Sequence, residues 1–267
     1  MTQFEILTKK FSVLKYLAVI KTDMSVIVYI LTDKPNSKNA KYLKGKFNSS
    51  LFHVKAVSIP YNEGNKSKAE MYRFRWCLKD AKKNFPGDYV LIVKDTSITH
   101  SSSNDIECVI NKAIENPGWN LCYLCRWLDR CDLYDKGINI EEHGTALVKT
   151  KSPNGTQCIL FSTSGRDIIL GGRKMKNKSY FKCDHDLGAK LNSEISKDNI
   201  KAICAHPNLF SYNVLSGENT GDLAKMSECR APEVHHDDFG IPPYFFVIFV
   251  IILLLILAVY MAKKRYK

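Results

Sequence analysis

The 267-residue chain contains no P-loop, no GxGxxG following a strand, no HExxH and no GxSxG. A Walker-type phosphate cradle, a dinucleotide fingerprint, a zincin helix and a nucleophile elbow are therefore not what carries its chemistry. No internal repeat is visible, which removes solenoids and propellers. No signal-peptide hydrophobic region forms at the start, because the apolar stretches 11–14 and 16–20 are cut by Lys15 and bounded by Lys9, Lys10 and Lys21. The nine cysteines are odd in number and irregularly spaced. That fits reduced, mostly buried thiols better than a disulfide framework. No aromatic-basic motif for nucleic acid occurs, so a polyanion is a conceivable partner only for the basic C-terminal tail.

Against these absences stands one long apolar run. Residues 241–262 carry no charge, and at about 1.5 Å per residue such a stretch reaches roughly 33 Å, enough to cross a hydrocarbon core. Tyr244 and Tyr260 sit where aromatic belts sit, and Lys263, Lys264, Arg265 and Lys267 stop the segment in headgroups. The expectation is a single transmembrane helix over 241–262, with the lipid bilayer as a partner, after a polar stalk (216–240) and before a basic tail (263–267). Without a signal peptide, the helix inserts after translation and leaves residues 1–240 on the cytosolic side. The positive-inside rule argues for the reverse orientation, but the missing signal weighs more, since a short translocated tail tolerates a few charges. The sequons at Asn48, Asn65, Asn154 and Asn177 are then silent. The formal net charge of +12 is spread along the chain, as on a solvated Lys-rich surface.

Within residues 1–215, strand and helix patterns alternate. Apolar runs at 25–32, 53–59, 89–93, 119–125, 156–162 and 200–205 read as strands. Helices are expected after the polar stretch 34–39 as far as Phe47, after a cap at Asn65 or Ser67, after a cap at Ser103, and over 164–170 and 184–195. Met71, Phe74, Leu78, Ala81 and Phe85 step by three and four along one helix, and Ile106, Val109, Ile110, Ala113 and Ile114 along another. Residues 126–144 read as irregular. The fold class this implies is α/β, with a mostly parallel sheet flanked by helices.

VLIVKDTS at 90–97 delivers polar residues at the C-terminal edge of a strand, where open α/β sheets bind ligands. In order along the chain, SVIVYILT (25–32), DYVLIVKDTSI (88–98), WNLCYLCRW (119–127), GTQCILFSTSGRDIIL (155–170), KCDHDLGAKL (182–191) and AICAHPNLFSYN (202–213) resemble the segments of the glycosyltransferase family 25 domain, the lipooligosaccharide and procollagen galactosyltransferase-like group. The resemblance implies a GT-A fold and, in an active member, manganese or magnesium held by a Glu-Asp-Asp triplet against a nucleotide sugar.

This sequence departs from that pattern where the chemistry sits. The matching triplet is Lys94-Asp95-Thr96, and one carboxylate beside a lysine is a poor cation site. The family's Ser-His is matched by Phe74-Arg75 or its neighbours, and its Pro-Val-Asp by Lys182-Cys183-Asp184 with Asp186 close by. The candidates for an active enzyme are therefore Asp95 and Asp184 as catalytic acids, and Lys94 and Asp186 as nucleotide-sugar contacts. Lys94 would neutralise the leaving diphosphate without a metal. No metal site and no cofactor are expected otherwise. Cys122, Cys125 and Cys131 form C-x2-C-x5-C, to which Cys183 and His185 could add. In a strand, however, positions three apart face opposite sides, so buried thiols are the default.

The expected function is non-enzymatic: a membrane-anchored structural or interaction protein on a degenerate glycosyltransferase-like domain, with other structural proteins as partners. The Lys-, Asn- and Ile-rich composition suits a large DNA virus, where such a minor capsid protein could tie an internal virion membrane to the capsid. The rival is an active transferase that moves a hexose from a nucleotide sugar onto a protein or glycan.

Overall fold

In the computed structural model, the residues described are 25–61, 65–134, 137–140, 144–171, 181–182, 185–212 and 228–229. All belong to one of two units, Met1–Arg230; the other, Ala231–Lys267, lies outside them, and with it the expected span 241–262. Among the described residues no helix is long and apolar enough to cross a membrane.

The chain opens with β1 (Val26–Leu31), α1 (Lys38–Lys46), β2 (Phe52–Val57), α2 (Lys66–Asn84) and β3 (Tyr89–Lys94). It continues through β4 (Ser97–Ile98), α3 (Ser103–Glu115), β5 (Leu121–Trp127), β6 (Ile138–Ile140), β7 (Thr145–Lys149), β8 (Asn154–Phe161), α4 (Thr163–Leu170), α5 (Leu187–Ser196), β9 (Ala202–His206) and β10 (Ser211–Tyr212). Eight strands form one sheet in the order β2-β1-β3-β8-β5-β9-β7-β6, and β4 pairs with β10. Pairing of β1 with β2 and β3, and of β5 with β9, is parallel. The reversed strands are β8 and β7, each antiparallel to both of its neighbours. The sheet is mixed, with six strands running one way.

Alternation along the strands divides the core. Val26, Val28 and Ile30 pack with Ala40 and Leu43 of α1 and the apolar stripe of α3. Ile27, Tyr29 and Leu31 pack with Met71, Phe74, Leu78 and Ala81 of α2 and with α5. The side-chain period of two sends successive residues to opposite faces, so each face needs its own cover of helices. Asn65 caps α2 through the Lys68 amide at 3.2 Å, one of the two expected candidates. The cap of α3 is Ser102, not Ser103, because Ser102 and Asp105 close a reciprocal capping box. At α4 a glycine is required. A Cβ on Gly165 would lie 2.0 Å from the Asn120 carbonyl oxygen, so the helix start lies directly against the strand beside it.

The described residues within 126–144 are more regular than expected. Arg126 and Trp127 finish β5, residues 131–133 make a 3-10 turn, and β6 forms a hairpin with β7. A short strand of mixed polarity such as β6 gives no periodic signal; its partner strand, which hydrogen-bonds it, decides. Glu228 and Cys229, inside the range expected as stalk, sit on the domain: Cys229 bridges to Asp129 and is disulfide-bonded to Cys131.

Candidate functional site

A cleft of about 510 Å³ opens at the C-terminal ends of β1 and β3. Lys94 ends β3 opposite Leu31 of β1, and the Asp95 amide continues the ladder to the Leu31 carbonyl at 2.9 Å. Antiparallel β8 begins at this same edge, which brings Thr156 and Gln157 beside Lys94. Thr96 donates to the Gln157 side chain at 3.2 Å and Ser97 to its carbonyl at 3.3 Å, fixing the loop that carries Asp95. Tyr212 of the β4–β10 ribbon and Tyr61 supply aromatic walls.

Two ion pairs sit in the cleft. The Lys94 ammonium lies 2.5 Å from Glu70 and donates to Thr156 at 2.8 Å, while the Thr156 hydroxyl donates to the same Glu70 carboxylate. Arg73 donates to Asp33 at 3.2 Å and to the Ile59 carbonyl at 3.0 Å. Acids (Asp33, Glu70, Asp95) and bases (Arg73, Lys94) thus share one open polar site.

Of the candidates read from sequence, Lys94 and Asp95 both line this cleft. Asp186 caps α5 through the Ala189 amide at 2.8 Å, and the first turn of α5 approaches Thr156: a Cβ on Gly188 would meet the Thr156 methyl at 3.7 Å. Its carboxylate is engaged by the helix end. Asp184 lies outside the described residues. Phe74 and Arg75 have packing duties: Phe74 is edge-on to Phe161, and Arg75 donates to the carbonyls of Ile169 (2.5 Å) and Phe181 (2.9 Å). Glu70 and Arg73 were missed by the sequence reading, although a signal existed. A helix that follows a parallel strand begins at the C-terminal edge of the sheet, so the polar residues of its first turns border the strand-end crevice.

The cysteines correct one expectation. A register shift against β8 between Tyr123 and Cys125 puts Cys122 and Cys125 in the same core layer rather than on opposite faces, with Cys158 opposite Cys125. Burial pushes the Cys125 thiol up to about 12 and the Cys122 thiol higher still, and it raises the Cys158 thiol well above its ordinary value, so these are inert packing groups at neutral pH. Cys131 does not join them, being bonded to Cys229. Cys183 lies outside the described residues.

A second polar cluster lies at the C-terminal end of β5. Arg126 is fully buried. It donates from Nε to Asp129 (3.2 Å) and Tyr134 (2.8 Å), and from Nη1 to the Ala205 carbonyl (2.9 Å) and Asn208 (2.6 Å); Nη1 also lies 2.7 Å from Glu228. Asp129 in turn accepts from Tyr134, the Thr150 hydroxyl and the amides of Arg130 and Ser152.

Fold and cleft together define a mixed α/β domain with a polar strand-end site. In shape the chain is similar to two solved viral proteins. One is a glycosyltransferase involved in the glycosylation of the major capsid of PBCV-1, at 10% identity and a TM-score of 0.36, with 55% of this chain and 66% of that chain covered. The other is A197 from STIV, at 10% identity and a TM-score of 0.40, with 70% and 84% covered. The match thus spans just under two thirds of the first protein's length. No protein-family model and no curated protein matches the chain. At this identity and superposition the two likenesses assign neither family nor activity.

Proposed function

We propose that this chain is a membrane-anchored structural or interaction protein, built on a glycosyltransferase-like domain of GT-A type whose metal-dependent chemistry is lost. The observation that carries the reading is the Lys94–Glu70–Thr156 cluster. A divalent cation at the end of β3 would meet an ammonium already in place, whose partner carboxylate it would have to take away. The apolar run 241–262 supports the anchor, and the viral membrane-to-capsid role rests on composition and on the sequence resemblance to family 25.

The openness of the cleft favours a second reading, transfer of a hexose from a nucleotide sugar without metal. There Arg73 and Lys94 would meet the diphosphate and Asp95 the acceptor. One experiment separates the two. The full chain in detergent is assayed with a panel of nucleotide sugars, with and without manganese, for thermal shift and for hexose transfer. A ligand at 100 times its dissociation constant would add about 2.7 kcal/mol. The structural reading expects no metal-dependent shift and no turnover. Turnover that disappears in the double variant Lys94→Asn, Asp95→Asn overturns it in favour of the enzyme.

A further inference from the structure

Away from the cleft, Cys131, His206 and Cys229 place two sulfurs and a ring nitrogen within 4.8 Å of one another, and all three residues are half-buried. A tetrahedral zinc ion holds such atoms about 3.6–3.8 Å apart, given bond lengths near 2.3 Å to sulfur and 2.0–2.1 Å to nitrogen. In the disulfide the two sulfurs lie closer together than that, so reduction must first let them part; the His206 ring is already within reach of both, and the site is reachable from solvent. The surroundings fit as well. Metal-binding histidines hold their other ring N–H on a carboxylate, which fixes tautomer and orientation; the Glu228 carboxylate is 2.7 Å from His206 Nδ1. The Arg126 guanidinium, 3.2 Å from the same nitrogen, is itself compensated by Asp129 and Glu228.

We propose that, when the Cys131–Cys229 bond is reduced, Cys131, Cys229 and His206 bind one zinc-class cation, with water in the fourth position. The exchange balances. A dithiol reductant delivers two electrons and two protons to the disulfide and leaves as its own disulfide. The two cysteine thiols then release their protons to solvent as the dication binds. A neutral disulfide is thus replaced by a neutral metal dithiolate, and the charge beside buried Arg126 is unchanged. Either form pins Glu228–Cys229 to the domain, so the segment stays docked in both oxidising and reducing surroundings.

The test uses the full chain, reduced with a phosphine and titrated with cobalt(II) as the probe. One equivalent is expected to bind, with a thiolate-to-cobalt charge-transfer band that zinc abolishes. Cys131→Ser and Cys229→Ser should each remove the band. His206→Asn, which keeps the disulfide for folding, should weaken binding at least tenfold after reduction, and Cys183→Ser should change nothing. No band in the reduced wild-type chain overturns the site. So does a band that survives the Cys131→Ser, Cys229→Ser double variant, or one lost in Cys183→Ser.

Discussion

The cleft at β3 and the nest around Arg126 are built from the same kinds of group and are treated by the fold in opposite ways. Lys94 and Glu70 keep 22% and 24% of their side-chain surface in solvent, whereas Arg126 and Asp129 keep none. In the cleft, water can replace a lost partner, so the ion pair contributes little to stability and its residues are available to a ligand. In the nest nothing can replace a lost partner, so Arg126 is held by several acceptors at once and is committed to structure. Lys94, which the sequence reading chose as a site residue, belongs to the pair the fold leaves adjustable. The buried charges of the nest, which it passed over, are the ones the fold cannot do without.

The sharpest way to break the comparison is Asp129→Ala. Removing one partner of the buried pair strands the guanidinium, and a loss of about 3–5 kcal/mol is expected in denaturant unfolding. A loss below about 1 kcal/mol would place the nest in the same class as the cleft. Lys94→Met should be much milder, up to about 1 kcal/mol by the same measurement, since the remaining Glu70 is still reached by water.

A pH series refines the contrast on the α2 side. Burial works to raise the Asp80 carboxyl, but hydrogen bonds from Tyr29, Lys55 and Asn84 and the Lys55 charge outweigh it and hold it below the usual carboxylate range. A depressed folded-state value means stability that is present above the unfolded value of about 3.9 and lost as pH falls through the folded one. The stability difference between wild type and Asp80→Asn should therefore be constant near neutral pH and shrink below about pH 4. The smallest effect belongs to Arg130→Ala. Its pairing with Asp132 is exposed on both sides, and a change within about 0.5 kcal/mol is expected.

The elements of the α/β order that carry a strong period or an unbroken β-branched run were legible in the sequence. VIVYIL and YVLIVK became buried strands, and the stripes from Met71 to Ala81 and from Ile106 to Ile114 became the buried faces of α2 and α3. Local chemistry fixed these, because burial periodicity is written into neighbouring residues. Lys94 and Asp95 were legible for a related reason: a polar pair ending an apolar strand marks a sheet edge.

What the sequence could not show depends on residues far apart along the chain. Lys94 meets Thr156 across 62 positions, Arg126 meets Asn208 across 82, and Cys131 meets Cys229 across 98. The reversed directions of β7 and β8, and the register shift that places Cys122 and Cys125 in one layer, exist only once strands pair. Local propensity sets which segments are strands and helices. Which strand lies beside which, and therefore which charges are shared and which buried, is decided by burying both faces of one sheet at once.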